Sequence, residues 1–184
     1  HSCRHCGSLL DQTVIDLGHQ PPSNAYLATE DLLLPEINYP MKLLVCTKCW
    51  LVQLPAHATA EKLFTESYAY FSSISSSWCA HAENYVSLTV KRLGLSDKSK
   101  VVELGSNDGY LLQFMKKLGI PCVGIEPTKA TARASRAKGI ETIELFFGEK
   151  VAKELMDKGG VLHGGADLIV ANNVIAHVPD INDF

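Results

Sequence analysis

The sequence of 184 residues lacks a long hydrophobic run and has no excess of positive charge. No apolar stretch approaches the roughly 18 residues of a membrane-spanning helix, and no basic segment followed by an apolar one marks a secretory leader. Lysine and arginine number 17 against 20 acidic residues, which gives a formal net charge of −3. We therefore expect a cytoplasmic protein that binds neither membranes nor nucleic acids.

The composition is that of an ordinary globular protein, with 46% hydrophobic and 20% charged residues. We expect three regions: a small module over residues 1–55, a connector and amphipathic helix over 56–98, and an α/β domain over 99–184. The first region has few regularly spaced apolar residues and can bury little surface, so we expect it to need a bound metal or a cross-link for stability. Pro21, Pro22, Pro35 and Pro40 predict that its central part is mostly loop with short extended pieces.

Apolar residues at spacings of three to four predict a helix over residues 72–93, capped by Ser72 or Ser73 and ended by Gly94. From residue 99 the pattern alternates between near-continuous apolar strands and helices. The predicted strands cover 100–105, 121–126, 141–145 and 166–171, and the predicted helices cover 109–118, 128–138 and 148–158. This order is typical of a parallel, doubly wound, Rossmann-like sheet buried on both faces.

Four of the six cysteines form two Cys-x-x-Cys pairs: Cys3 with Cys6, and Cys46 with Cys49. Such pairs direct two sulfur atoms of one turn at a single ion, so the sequence predicts a structural Zn²⁺ site with four thiolates and no open position. Redox-active or merely buried cysteines are the alternatives. We expect His5 to point away from the metal. Cys79 and Cys122 are single, in apolar settings, and are expected to be small buried hydrophobic residues.

The stretch "ELGSNDGY", starting at Glu103, lies between a predicted strand and a predicted helix. Its glycine spacing is G-x-x-x-G, which differs from the dinucleotide fingerprint and from the P-loop, and the loop contains no lysine to meet a phosphate. Gly105 permits a sharp turn, and Gly109 removes a side chain where a ligand would lie. An acidic loop favours a cationic ligand, although glycines of a plain turn would give the same spacing.

Glu126 ends the next predicted strand, about 20 residues after the loop. A carboxylate in this position can accept hydrogen bonds from both hydroxyls of a ribose. It could also be a solvated strand-end acid. The two features together favour a nucleoside-containing ligand at the carboxyl ends of the strands.

"VVELGSNDGYLL", "GIEP" and "DLIVANNVIAHVPD" resemble the core of class I S-adenosylmethionine-dependent methyltransferases. With the two cysteine pairs, "LGHQPPSNAYL" and "ESYAYFSS", the chain resembles the zinc-containing sugar C-methyltransferases. That family methylates a carbon next to a ketone on a nucleotide-linked 4-keto-deoxysugar. The resemblance implies S-adenosylmethionine and Zn²⁺ as cofactors and a small-molecule substrate, and it does not specify the sugar or the oligomeric state.

The resemblance also implies roles for individual residues. Zinc would be bound by the four paired cysteines. The methionine end of the cofactor would be held by the loop residues Glu103, Gly105, Ser106, Asn107, Asp108 and Gly109. The rest of the cofactor would contact Glu126 and Pro127, then Phe146 or Phe147 at the end of the third strand, and Asn172 and Asn173 after the fourth. The catalytic candidates are Tyr68, Tyr70 and His177, which would donate hydrogen bonds or move a proton at the substrate.

The family carries a Tyr/Glu/His cluster on a later strand and a C-terminal domain, and this sequence contains neither. We therefore expect a piece of a longer enzyme, inactive by itself, whose fourth strand is exposed at the edge of the sheet. The alternatives are an O- or N-methyltransferase of another small molecule, and a non-catalytic zinc-ribbon and Rossmann-like interaction module.

Overall fold

The computed structural model describes residues 1–65, 68–157 and 159–184. They form two compact units, one of His1–Ala69 with Val178–Asp183 and one of Tyr70–His177 with Phe184. The first unit contains β1 (Gln12–Gln20), β2 (Tyr39–Val45), β3 (Val52–Gln53) and α1 (Ala60–Leu63). The second contains α2 (Ser76–Leu93), β4 (Val101–Leu104), α3 (Leu112–Lys117), β5 (Cys122–Ile125), α4 (Lys129–Ala137), β6 (Glu141–Ile143), α5 (Glu149–Met156) and β7 (Leu168–Val170).

The first unit is built on an antiparallel sheet in the order β1-β2-β3. The prediction of loop with short extended pieces between the cysteine pairs holds for residues 21–38, which contain only a short 3-10 helix. The extended pieces are longer than predicted, because β1 and β2 form a ribbon with two register irregularities. Pro40 lies inside β2, opposite His19. It is tolerated because β3 pairs with β2 only at Leu44 and Val45, so the edge of β2 at Pro40 has no strand partner among the described residues.

The two cysteine pairs form matched turns in the core of this unit. The amide of Gly7 donates to Cys3 O at 2.9 Å, and the amide of Trp50 donates to Cys46 O at 2.8 Å. Gly7 and Trp50 both have left-handed backbones, with φ of +73° and +64°. The same tight turn therefore follows each Cys-x-x-Cys pair, although only the first has the glycine that favours it.

The second unit is a parallel sheet in the order β6-β5-β4-β7, with helices between the strands. This confirms the predicted Rossmann-like fold class. β4 comes first in this sheet and lies inside it, so the strand order reverses between β5 and β7, at the carboxyl end of β4. Ligands of open α/β sheets bind at such a reversal. β7 lies at one edge of the described sheet, and Ile169 on it is 59% exposed.

Three predicted element boundaries are wrong in the second unit. Helix α2 begins at Ser76, and its cap is Ser75, whose Oγ accepts from the amide of Trp78 at 3.2 Å. Ser72 and Ser73 instead start a separate 3-10 helix. Helix α3 begins at Leu112 and not at 109, because the loop forms turns before the helix starts. Strand β6 ends at Ile143 and not at 145.

Candidate functional site

The four paired cysteines form a cluster whose sulfur atoms all lie within 4.8 Å of one another. Cys3 Sγ is 3.6 Å from Cys49 Sγ, and Cys6 Sγ is 3.5 Å from Cys46 Sγ. A tetrahedron of sulfur atoms at zinc–sulfur bond length has edges of about 3.8 Å. The arrangement therefore fits a closed, structural Zn²⁺ site. His5 lies outside the cluster, as predicted, and its Nδ1 is 2.7 Å from Asn182 Oδ1.

The surroundings of the sulfur atoms shift the pKa values of the cysteines in different directions. The backbone amide of Cys6, with further donors that include Gln53, lowers the pKa of Cys3 to about 6 against the effect of burial. The backbone amide of Leu51 lowers the pKa of Cys49, but desolvation and the three neighbouring cysteines outweigh it and raise that pKa to about 12. A bound cation would stabilise the thiolate form of all four cysteines.

The loop between β4 and α3 is tied to the end of β5 through backbone amides. Gly105 and Ser106 donate to Ile125 O at 2.8 and 3.2 Å. Gly105 has φ of +63°, and a Cβ on it would lie 2.7 Å from a methyl carbon of Val174. The sharp turn predicted at Gly105 is therefore confirmed, and the residue must be glycine for both reasons.

Glu126 is buried, and both of its carboxylate oxygens accept backbone hydrogen bonds. Oε2 accepts from the amide of Asn107 at 2.8 Å, and Oε1 accepts from the amide of Thr128 at 2.9 Å. Each carboxylate oxygen can accept a second hydrogen bond, so capacity for ribose hydroxyls remains. The structure thus brings the predicted loop and the predicted ribose acceptor into direct contact.

Asn107 and Asp108 anchor the loop to the chain that precedes α2. Asn107 Oδ1 accepts from the amide of Ser72 at 2.8 Å, and its Nδ2 donates to Tyr70 O at 3.0 Å. The buried carboxylate of Asp108 accepts from the amide and hydroxyl of Ser73 and pairs with Lys138 Nζ at 3.2 Å. Part of the loop's negative charge is therefore balanced within the protein.

Gly109 is required by packing. It has φ of +75°, and a Cβ on it would lie 2.5 Å from Ile140 Cδ1 and 2.8 Å from Ser135 Oγ. The expectation that a ligand takes the place of its missing side chain is wrong, because Ile140 and Ser135 already fill that space.

Glu103 is 1% exposed, and its side chain hydrogen-bonds the buried Tyr110, which also hydrogen-bonds the exposed Asn172. Desolvation raises the pKa of Glu103 well above its usual value, a hydrogen bond with Tyr110 opposes this, and Glu126 and Asp108 add to it. Burial and the nearby Glu103 raise the pKa of Tyr110 as well, while a hydrogen bond with Asn172 lowers it. Sequence reasoning did not find Tyr110, and only its place directly after Gly109 hints at its role.

Three buried polar atoms around this loop have no hydrogen-bond partner among the described residues: Glu103 Oε2, Ser106 Oγ and Thr128 Oγ1. Buried groups of this kind are rare and mark a place where a ligand or water completes the structure. An acidic loop with unpaired buried polar atoms, beside the carboxylate of Glu126, fits a ligand that combines a nucleoside with a cationic group, as S-adenosylmethionine does.

The other predicted site residues are distributed as follows. Tyr70 precedes the anchored 3-10 helix and is half exposed, whereas Tyr68 belongs to the first unit and contacts the ring of Phe64. Phe146 and Phe147 lie beyond the end of β6, and Phe147 packs on Phe184, at a ring distance of 5.5 Å. Pro127, Asn172, Asn173 and His177 follow the carboxyl ends of β5 and β7, where the sheet order predicts a ligand, and Asn173 has φ of +55°.

The fold and the two sites define a Rossmann-like methyltransferase domain preceded by a four-cysteine zinc module. Residues 79–184 match the family described as "Methyltransferase domain", and residues 3–64 match the family described as "Putative zinc binding domain". The chain belongs to the methyltransferase-domain family. These matches and the cysteine cluster confirm the predicted cofactors, Zn²⁺ and S-adenosylmethionine.

Among curated proteins, the chain is 33% identical over 181 residues to "C-methyltransferase NovU" of Streptomyces niveus. The match covers 98% of this chain and 42% of NovU, so the chain spans less than half the length of this relative. No helix among the described residues is long and apolar enough to cross a membrane.

Among solved structures, the chain resembles a SAM-dependent methyltransferase from Thiobacillus denitrificans in complex with S-adenosyl-L-homocysteine. Identity is 18%, coverage is 62% of this chain and 40% of that one, and the TM-score is 0.34. A SAM-dependent methyltransferase from Archaeoglobus fulgidus gives 19% identity, coverage of 41% and 34%, and a TM-score of 0.32. These scores are low, and the assignment rests on the sequence matches.

Proposed function

We propose that the protein containing this chain is an S-adenosylmethionine-dependent C-methyltransferase that acts on a nucleotide-linked 4-keto-deoxysugar. One observation carries the proposal: 33% identity to a protein named as a C-methyltransferase extends through both the zinc module and the methyltransferase domain. None of the six cysteines forms a disulfide bond, which suits a zinc-binding protein of the reducing cytoplasm.

In this proposal, bound S-adenosylmethionine supplies an electrophilic methyl group. The protein orients it through the loop at Glu103–Gly109 and through Glu126, whose carboxylate accepts from the ribose. The buried carboxyl of Glu103 lies on β4, close to the loop where a cationic group binds. Residues after β6 and β7, among them Phe146 and Asn172, border the adenine and the reacting end.

Methylation of carbon requires removal of a proton next to a carbonyl and stabilisation of the resulting enolate oxygen. Tyr70 and His177 are the candidates for these contacts in the second unit, because they flank the loop and follow β7, respectively. A hydroxyl or imidazole N–H that donates to the enolate oxygen stabilises negative charge that develops only during reaction. A catalytic role for Tyr68 stays a prediction.

The test incubates the full-length, zinc-loaded protein with methyl-labelled S-adenosylmethionine and a nucleotide-linked 4-keto-6-deoxysugar. We expect a sugar that carries a new methyl group on the carbon next to the ketone, located by NMR. In heavy water without cofactor, the same carbon should exchange its hydrogen, and His177→Ala should slow that exchange. Transfer to oxygen or nitrogen would favour the other methyltransferase class, and no binding of cofactor would favour a non-catalytic interaction module.

A further inference from the structure

The two residues between the first pair of cysteines hold a segment from the far end of the chain. Arg4 Nη1 donates to Val178 O at 3.1 Å, and Arg4 Nη2 donates to Leu54 O at 2.5 Å. His5 Nδ1 lies 2.7 Å from Asn182 Oδ1, and Asn182 Nδ2 donates to His5 O at 2.8 Å. These four contacts join residues separated by 50 to 177 positions in sequence.

The held segment has its own turn, which presents Asn182 to His5. The amides of Asn182 and Asp183 both donate to Asp180 Oδ1 at 3.1 Å. The segment Val178–Asp183 belongs to the same compact unit as the cysteine module. A side-chain amide that both donates to and accepts from one residue fixes an orientation as well as a distance.

The conformation of Arg4 and His5 depends on the cysteines beside them. The amide of Arg4 donates to Gln53 Oε1 at 3.0 Å, and Gln53 Nε2 donates to Cys3 Sγ at 3.3 Å. In four-thiolate modules of this size the metal holds the turn, because the small core supplies too little burial energy by itself. A turn without metal would not present these donors and acceptors at fixed positions.

We propose that Arg4, His5, Val178 and Asn182 form a zinc-dependent clasp that fixes the segment Val178–Asp183. Val178 is bonded directly to His177 in the chain, so we expect loss of the clasp to affect His177 through this covalent connection. Arg4 and Asn182 are therefore positioning residues, and zinc contributes to the reaction without touching substrate. The link to His177 rests on the proposed function, whereas the clasp does not.

Hydrogen–deuterium exchange of the full-length protein tests the clasp without any substrate. We compare the peptide over Val178–Asp183 in the wild type with one zinc per chain, in the chelated wild type, and in zinc-loaded Arg4→Gln and Asn182→Ala. Lys48→Gln is the matched control, because Lys48 is the exposed basic residue between the second pair of cysteines. Bound zinc is measured for each protein.

We expect Arg4→Gln and Asn182→Ala to speed exchange of the Asn182 or Asp183 amides roughly tenfold, the effect of losing one hydrogen bond that involves a charged or buried group. Chelation should produce at least the same change, and Lys48→Gln none. If Arg4→Gln does not retain zinc, the result for Asn182→Ala alone tests the clasp, because this substitution leaves the cysteine turn unaltered. Unchanged exchange in zinc-loaded Asn182→Ala, or in the chelated wild type, would overturn the clasp.

Methyl-transfer assays distinguish failure of the proposed clasp from failure of the proposed function. With the clasp present and the function correct, Asn182→Ala should lower kcat for methyl transfer and leave the Kd for S-adenosylhomocysteine unchanged. A wild type that shows the exchange pattern but transfers no methyl group would refute the function and leave the clasp standing.

Discussion

The amide of Asn107 donates to Glu126 Oε2 at 2.8 Å, which joins the loop after β4 to the residue that directly follows β5. Asn107 has φ of +50°, and its side chain reaches back to Ser72 and Tyr70. One residue thus connects the loop, the ribose acceptor and the segment before α2. Because Asn107 bonds the carboxylate of Glu126, we expect a ligand that binds Glu126 to affect the conformation of the loop as well.

Gly109→Ala should destabilise the protein by about 3 kcal/mol, because a left-handed backbone and a collision with Ile140 and Ser135 add together. Gly119→Ala is the control, since Gly119 has φ of +71° and a Cβ on it would meet no heavy atom within 4 Å. It should cost only about 1 kcal/mol. Urea unfolding measures both, and equal losses would show that packing at Gly109 is unimportant.

Glu103 should make the protein less stable as pH rises. Its pKa is raised by burial above the usual 4.5, so above pH 4.5 the unfolded chain loses this proton while the folded protein keeps it. The folded state then binds more protons, and the free energy of unfolding falls as pH increases toward the raised pKa.

Glu103→Gln removes this titration, so its stability relative to the wild type should increase as the pH rises from 4.5 toward the raised pKa. Urea unfolding across that range measures the difference. Glu141→Gln, at an exposed position on β6, should show no such trend. Parallel pH profiles for Glu103→Gln and the wild type would contradict a buried, protonated Glu103.

Cys46→Ala should abolish stoichiometric zinc binding, because Cys46 is fully buried among the four sulfur atoms. Amide exchange in β2 and β3 should then approach that of an unfolded chain, since metal binding supplies the folding free energy of such modules. Cys79→Ala is the control and should retain one zinc per chain. Retention of zinc by Cys46→Ala would show that the cluster is not the metal site.

The sequence was sufficient for strands β4, β5 and β7 of the second unit, because β4 and β5 are buried apolar runs and β7 is an apolar run at the edge of the sheet, and such runs are recognisable locally. It was also sufficient for the cysteine cluster, because two residues between paired cysteines direct both sulfur atoms of one turn at the same ion. It could not show that Gly109 faces Ile140, that Tyr110 bonds Glu103, or that Arg4 reaches Val178. Those contacts join distant positions, and no local pattern encodes them.

We propose that the segment Glu103–Gly109 and the carboxylate of Glu126 bind S-adenosylmethionine together. Calorimetric titration of S-adenosylmethionine into the full-length, zinc-loaded protein tests it most directly, with Glu126→Gln as the variant and Glu141→Gln as the control. We predict one site per chain, an affinity about tenfold to a hundredfold weaker in Glu126→Gln, and no change in the control. No binding heat in the wild type, or equal affinity in Glu126→Gln, would contradict the account.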